Sequence, residues 1–549
     1  MAGEAEIRSY SLYSDLIASV GDQDLVEAAQ LLLNGRLGLA EPRCRAVLQR
    51  DPENVNAICL LADIGLRVGA LADAEKLLNR CLELQPDYHR ARVLLASTFL
   101  KKQQFSSALQ MLDEIDEQTA GQLDVGLLKA NIYSQTGRHE AAIEIYRRLN
   151  AEKPGNPGIS MSLAHALKTV GLQAEAIEAY RAALAAKPTL GDAYWSLANL
   201  KTYRFDDEML SSMIAMVDDE STGREDFYHL CFAIGKCLED RQEYDRAFWY
   251  YQRGNVVRRG FLKYDPDRNH NDVQAHKAVF TEDFVRSRLT PARSEREKAA
   301  PVPIFIVGLP RAGSTLVEQI LASHSCVEGT QELPDVISIA RRLSGKKSNE
   351  DISQYPHVLK EMSDGALAAL GEEYLQRTGP HRNGAPYFID KMPNNFMHIG
   401  LIKLMLPSAI IIDARRNPMD CCFSGYKQLF ARGQNFTYSL TEIARYYRDY
   451  VDLMRHWDRV LSGGIIRVIN EDLISDPETE IRRLLDRCGL DFEENCLSFY
   501  QTKRAVKTAS SEQVRQPINN SGVNRWKFFE KKLDVLKSEL GSIVDNYRT

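Results

Sequence analysis

A 34-residue period runs through the first half of this chain and leaves few folds open to it. Ala28, Ala62, Ala96, Ala130, Ala164 and Ala198 stand 34 residues apart, and so do Ala40, Ala74, Ala108, Ala142 and Ala176. Gly35 and Gly69 keep the same register. Gln103 breaks the glycine series, and Gly137 and Gly171 resume it. Pro52 and Pro86, and later Pro154 and Pro188, repeat at the same interval. Each position has a physical reading. A small residue at two fixed places lets two helices approach closely, and glycine ends the first helix where a left-handed residue is cheapest. Proline stops the second helix and opens the next unit. One helix pair cannot bury its apolar face alone, so such units must stack.

These residues resemble the tetratricopeptide repeat over about seven units, from Gln23 to Gly260. The later units drift. Arg204 stands where glycine is usual and Phe232 where alanine is usual, as expected of capping or docking repeats. The resemblance implies a groove that binds a peptide or protein, against the plainer role of scaffold or self-association surface as a homodimer. Residues 1–22 read as a helical segment before the repeats. Residues 261–300, polar and outside the repeat, read as a connector with about one helix.

The chain is long enough, at 549 residues, for two or three domains. A net charge of -6 gives no global footprint for nucleic acid. No apolar run is long enough for a transmembrane helix, and the acidic N-terminus lacks the apolar core of a secretory signal. Ten scattered cysteines, with no Cys-x-x-Cys pair, fit small buried groups in a reducing compartment, so a cytoplasmic protein without a metal centre is expected.

At Pro303 the texture changes, and residues 301–549 read as a separate α/β domain with a central parallel sheet. Ile304-Phe305-Ile306-Val307 is an apolar run suited to a buried parallel strand. It enters Gly308-Leu309-Pro310-Arg311-Ala312-Gly313-Ser314-Thr315, after which a helix begins. Strand, glycine turn and helix start make an anion site. The glycine spacing is that of a Walker loop, but Ser314 occupies the place of the lysine that a nucleoside triphosphatase needs. A second apolar strand, Ala409 to Ala414, leads into Arg415-Arg416-Asn417-Pro418, with Ser424 eight residues after Arg416. An arginine fork with a hydroxyl suits a phosphate monoester, and the spacing favours Arg416 over Arg415. Both turns lie at strand carboxyl ends, the ligand edge of an open α/β sheet.

With these motifs the C-terminal domain is similar to sulfotransferases, of the bacterial repeat-bearing type and more distantly the tyrosylprotein sulfotransferases. The resemblance spans Pro303 to Leu540 and implies 3′-phosphoadenosine 5′-phosphosulfate (PAPS) as donor and a hydroxyl-bearing acceptor, which includes protein tyrosine, carbohydrate, lipid and small alcohols. It assigns Arg311, Ala312, Gly313, Ser314 and Thr315 to the 5′ loop, and Arg416 and Ser424 to the 3′-phosphate. Glu332, 21 residues after Arg311, would be the catalytic base, with Glu328 as its alternate. Lys391 would stabilise charge on the bridging oxygen. Ser510 and Arg525, in a polar closing segment, would contact the phosphates. Asn470 stands where relatives carry tyrosine, and His324 reads as structural. Two other readings stay open: a repeat adaptor with a vestigial nucleotide domain, and an unusual kinase.

Overall fold

The computed structural model describes residues 22–115, 123–289, 301–346, 351–431, 433–502, 504–506, 508 and 511–548. The first 21 residues, the end of the connector and Ser510 therefore lie outside it. The chain divides into two compact units, one ending at Pro188 and the other beginning at Thr189.

The first unit holds five helix pairs among the described residues, from Gln23–Leu33 with Leu37–Arg50 to Pro157–Val170 with Gln173–Ala186. The periodic alanines sit where the helices of a pair touch: Ala28, Ala40, Ala62, Ala74, Ala96, Ala108, Ala130, Ala142, Ala164 and Ala176 are all fully buried. Gly69 and Gly171 end their helices at φ of 87° and 88°. Gln103 adopts the same left-handed conformation at φ 61°. It does so because the bond pattern is shared. Gln104 N–H reaches Phe99 O five residues back, as Ala70 reaches Gly65 and Leu172 reaches Leu167. A side chain there costs about 1–2 kcal/mol against glycine. Gln103→Gly is therefore expected to stabilise this unit by about 1 kcal/mol after the extra flexibility of unfolded glycine is subtracted. Thermal denaturation checks it, through a midpoint rise of about 2–4 °C.

The second unit opens with helices Gly191–Ala198, Asp207–Asp218, Arg224–Asp240 and Tyr244–Arg259. The repeat period assigns these residues to the array, yet they pack as part of the α/β unit. Arg259 pairs with Glu442 at 2.7 Å, and Asn255 Nδ2 donates to Tyr426 O at 3.0 Å. Two helices, Pro266–Val279 and Glu282–Arg288, occupy the described part of the connector, one more than its sequence suggests. Each has its own start signal: Asp265 caps Pro266–Val279, and Thr281 caps Glu282–Arg288.

Five parallel strands follow: β1 Val302–Gly308, β2 Val327–Gly329, β3 Tyr387–Asp390, β4 Ile410–Arg415 and β5 Ile465–Ile469, in the order β2-β3-β1-β4-β5. The continuous apolar runs arise because both sheet faces are covered. Ile304, Ile306, Ile412, Ala414, Ile466 and Val468 pack against Val317, Ile320 and Leu321 of the helix after β1 and against Leu473, Ile481 and Leu484. From β1 the chain steps toward β2 and β3, and from β4 toward β5. The crevice for a ligand in such a sheet opens where that direction reverses, at the carboxyl ends of β1 and β4. Among the described residues no helix is long and apolar enough to cross a membrane, and no group of three or more His, Cys, Asp or Glu could hold a metal ion. The ten cysteines are free thiols.

Candidate functional site

At the end of β1 the backbone must turn in very little space. A Cβ on Gly308 would lie 2.4 Å from Ala414 O on β4, and one on Gly313 2.5 Å from Asn470 Oδ1. Gly313 begins helix Ser314–Leu321 at φ 98°, and no side chain caps that helix. Leu316 N donates to Gly313 O at 3.0 Å, and the N–H groups of the almost buried Ser314 and Thr315 are the first-turn donors that suit an anion. Arg311 is held at φ 71°, a left-handed conformation costing about 1–3 kcal/mol for such a residue. The strain aims its side chain across the crevice: Nε donates to Ser424 Oγ at 3.1 Å and Nη2 to Gln513 Oε1 at 3.4 Å.

Helix Pro418–Tyr426 begins directly after the second turn. Asn417 caps it, accepting from Met419 N at 3.0 Å and Asp420 N at 3.3 Å, while Glu471 Oε1 accepts from Asn417 N at 3.0 Å. The adjacent arginines part company here. Arg415 is fully buried, 2.7 Å from the equally buried Asp413, and donates to Tyr547 O at 2.8 Å. Arg416 instead donates from Nη1 to Arg311 O at 3.1 Å and from Nη2 to Gly522 O, while its Nε is buried without a partner among the described residues. Burial, then the neighbouring Arg416, pull the Arg311 guanidinium down to about 10. Two guanidinium groups crowded at the ends of β1 and β4 favour an anion between them. Arg415→Ala is expected to cost about 3–5 kcal/mol of stability, because the fully buried Asp413 loses its 2.7 Å partner and keeps only Arg467, at 3.3 Å, as an ion pair. Chemical denaturation of the variant measures that loss, which Arg416→Ala is not expected to reproduce.

A closing segment covers both turns. Asp420 accepts from Asn524 N at 2.6 Å and Trp526 N at 3.1 Å, and Thr315 Oγ1 lies 3.3 Å from Thr508 Oγ1. Arg525, which the resemblance sends to a phosphate, is paired with a carboxylate. Its guanidinium is 3.3 Å from Glu239 and stacks over Phe528. Burial raises the Glu239 carboxyl, but Lys427 at 2.6 Å, with Lys236 and Arg525, holds it down to about 2. That charge, on a helix far away in sequence, draws Arg525 to it.

Beyond β3, Lys391 and Glu332 form an ion pair in which the lysine is 2% exposed and the carboxylate 45%. Thr330 Oγ1 donates to Ile389 O at 2.5 Å and so ties the Glu332 segment to β3. Asp390 is not the lysine's partner. Burial pushes its carboxyl well up, and Tyr374 OH donates to it at 2.8 Å. Glu328 is turned to Asn383 N at 2.6 Å. His324 is fixed between Cys326 N and Asp491 O. The structure thus brings Arg311, Gly313, Ser314, Thr315, Arg416 and Ser424 to one crevice, with Glu332 and Lys391 paired at the end of neighbouring β3. Asn470, singled out in the sequence as a departure from tyrosine, also takes part, and so do Gln513, Glu471 and Asp420, which the sequence does not mark. Arg504 is a further case, held by Glu318 at 2.5 Å and by Gln319 at 3.2 Å.

Residues 303–494 match the family model described as Sulfotransferase family. Residues 66–132, and 26–89 with 127–191, match two models described as Tetratricopeptide repeat. An uncharacterized protein of Aquifex aeolicus is 34% identical over 61% of this chain and 44% of its own length. Protein-tyrosine sulfotransferase A of Caenorhabditis elegans is 24% identical over 44% of this chain and 65% of its own length. Protein-tyrosine sulfotransferase 1 of Homo sapiens is 22% identical over 41% and 62%. The chain thus spans less than two thirds of each of these relatives. Among solved structures, the sulfotransferase domain of the Synechococcus PCC 7002 olefin synthase is 19% identical, covering 46% of this chain and 96% of that one at a TM-score of 0.33. MamA is 24% identical over 29% of this chain and 94% of its own, at a TM-score of 0.26.

Proposed function

We propose that this chain, with tetratricopeptide repeats followed by a sulfotransferase-family domain, moves the sulfuryl group of PAPS to a hydroxyl acceptor, protein tyrosine among the candidates. The repeat half would bind the substrate or a partner. The observation that carries the reading is the convergence of the two strand-to-helix turns, with Arg311 reaching from the β1 turn to Ser424 beyond the β4 turn. PAPS supplies an activated sulfuryl group on a 5′-phosphate and a second phosphate at the 3′ carbon. The residues fit those two anions: the partnerless buried Nε of Arg416 is a donor awaiting an acceptor, and Arg311 carries a charge that its surroundings disfavour.

In this reading the loop backbone from Ala312 to Thr315 and Arg311 hold the 5′ end, and Arg416 with Ser424 holds the 3′-phosphate. Ser510 would add a hydroxyl from the closing segment. Arg525 would serve the phosphates only by leaving Glu239. Glu332 takes the proton of the acceptor hydroxyl as its oxygen bonds to sulfur. The bond from sulfur to the nucleotide phosphate oxygen breaks, and Lys391 compensates the charge left there. The products are a sulfate ester and 3′-phosphoadenosine 5′-phosphate. The test is incubation with 35S-labelled PAPS and separate panels of tyrosine peptides, sugars, lipids and phenols. Label transfer to a panel, abolished by Lys391→Ala, supports the reading. No transfer to any panel, with donor binding intact, would leave the adaptor reading standing.

A further inference from the structure

The outer edge of the helices Arg224–Asp240 and Tyr244–Arg259 carries an arrangement that sulfuryl transfer does not use. Arg253 lies with its guanidinium carbon 4.4 Å from the ring centre of Trp249, 5.1 Å from Phe227 and 6.0 Å from Tyr250. The rings fix the plane of the guanidinium, yet its Nη1 is buried and has no hydrogen-bond partner among the described residues. An unanswered buried donor on a charged group is costly and rare in native proteins. Beside it a cavity of about 310 Å³ is lined by Phe227, Gln252, Arg253, Val256 and Val257. The rim is apolar and open to solvent, with Trp249 50%, Val256 67% and Phe261 50% exposed. Arg224 adds a second guanidinium, stacked 5.2 Å from the Phe261 ring.

We propose that this face docks a peptide segment that sets a carboxylate on Arg253 and an apolar side chain in the adjoining groove. Charge complementarity selects the occupant. With Nη1 buried, the Nε and Nη2 edge of the guanidinium is the one with the geometry that a carboxylate meets with two parallel bonds. Tryptophan and arginine together are the residue types that dominate protein interfaces. Nucleic acid is a poorer fit, because two stacked arginines in a chain of net charge -6 do not make a basic stripe. The site is independent of the transfer reaction, since none of its residues belongs to the crevice at β1 and β4.

The face has its own reporter. Of the four tryptophans, Trp195, Trp457 and Trp526 are at most 9% exposed, and Trp249 is half exposed. The full-length protein is titrated with a mixture of N-acetylated hexapeptides, each with one Asp or Glu next to one Leu or Phe, while tryptophan emission is followed. The matched Asn/Gln mixture and a single-stranded oligonucleotide serve as comparisons. The expected result is a saturable emission change with the acidic mixture, weakened at least about tenfold with the amides, as loss of one charge-assisted bond requires. Arg253→Gln is expected to lose the response equally, and Val256→Asp to lose it by repelling the carboxylate. Both variants should bind 3′-phosphoadenosine 5′-phosphate as the parent does, which separates this site from the donor site. An emission response that is equal for acid and amide, that survives both substitutions, that is absent altogether, or that appears only with the oligonucleotide overturns the proposal.

Discussion

Arg416→Ala is expected to weaken binding of 3′-phosphoadenosine 5′-phosphate by about 100-fold or more, equivalent to about 2.8 kcal/mol. Its Nε is buried and unanswered, and its other nitrogens grip the backbone of Arg311 and Gly522. The side chain is therefore already in place, and the binding energy is not spent on ordering it. Removing it would leave a phosphate in the crevice with Ser424 but without the guanidinium fork. Lysine restores a charge but not the fork, so Arg416→Lys should recover only part of the loss. The variant should lose only the two backbone bonds, about 1 kcal/mol each, and so be destabilised less than Arg415→Ala. That contrast is the check. Equal destabilisation by the two substitutions would mean that both arginines serve the fold.

The second large effect concerns turnover. Glu332→Gln is expected to lower the transfer rate about 10²–10⁴-fold, the usual contribution of a general base, and to leave donor binding unchanged. Glutamine is the sharper substitution here. Lys391 is 2% exposed and paired with Glu332, and an alanine would strand that cation beneath the surface. The amide keeps an acceptor for the ammonium group while removing the basic oxygen. A drop in the rate at saturating donor and acceptor, without change in the donor Kd from titration, assigns Glu332 to the chemical step. Parallel loss of binding and rate would make it a residue that orders the pocket.

Much of this was legible in the chain. The period of alanines and glycines announces the helix pairs, and local spacing around Gly313, Arg416 and Ser424 announces two strand-turn-helix junctions. Those features are legible because they are local: a strand, a turn and a helix start are written within a few residues of one another. What could not be read depends on distant contacts. Nothing near Asn470 says that it stands against Gly313, or that Glu471 accepts from Asn417. Nothing near Arg525 says that Glu239, 286 residues away in sequence, stands beside it. The helices from Gly191 to Arg259 carry repeat-like spacing, yet Asn255 and Arg259 reach Tyr426 and Glu442. Periodicity describes how helices pair, and it is silent on which domain their outer faces meet. Gln103 gives the opposite lesson, since its backbone keeps the glycine conformation after the glycine is gone.

The central claim is that the crevice at β1 and β4 accepts a nucleotide bearing phosphate at both its 3′ and 5′ positions. Calorimetric titration of the full-length protein without Mg²⁺, with 3′-phosphoadenosine 5′-phosphate and with ATP as the comparison, tests it most directly. Micromolar binding of the bisphosphate with little or no heat from ATP is the result this account predicts. Absence of bisphosphate binding, or tighter binding of ATP, would contradict it.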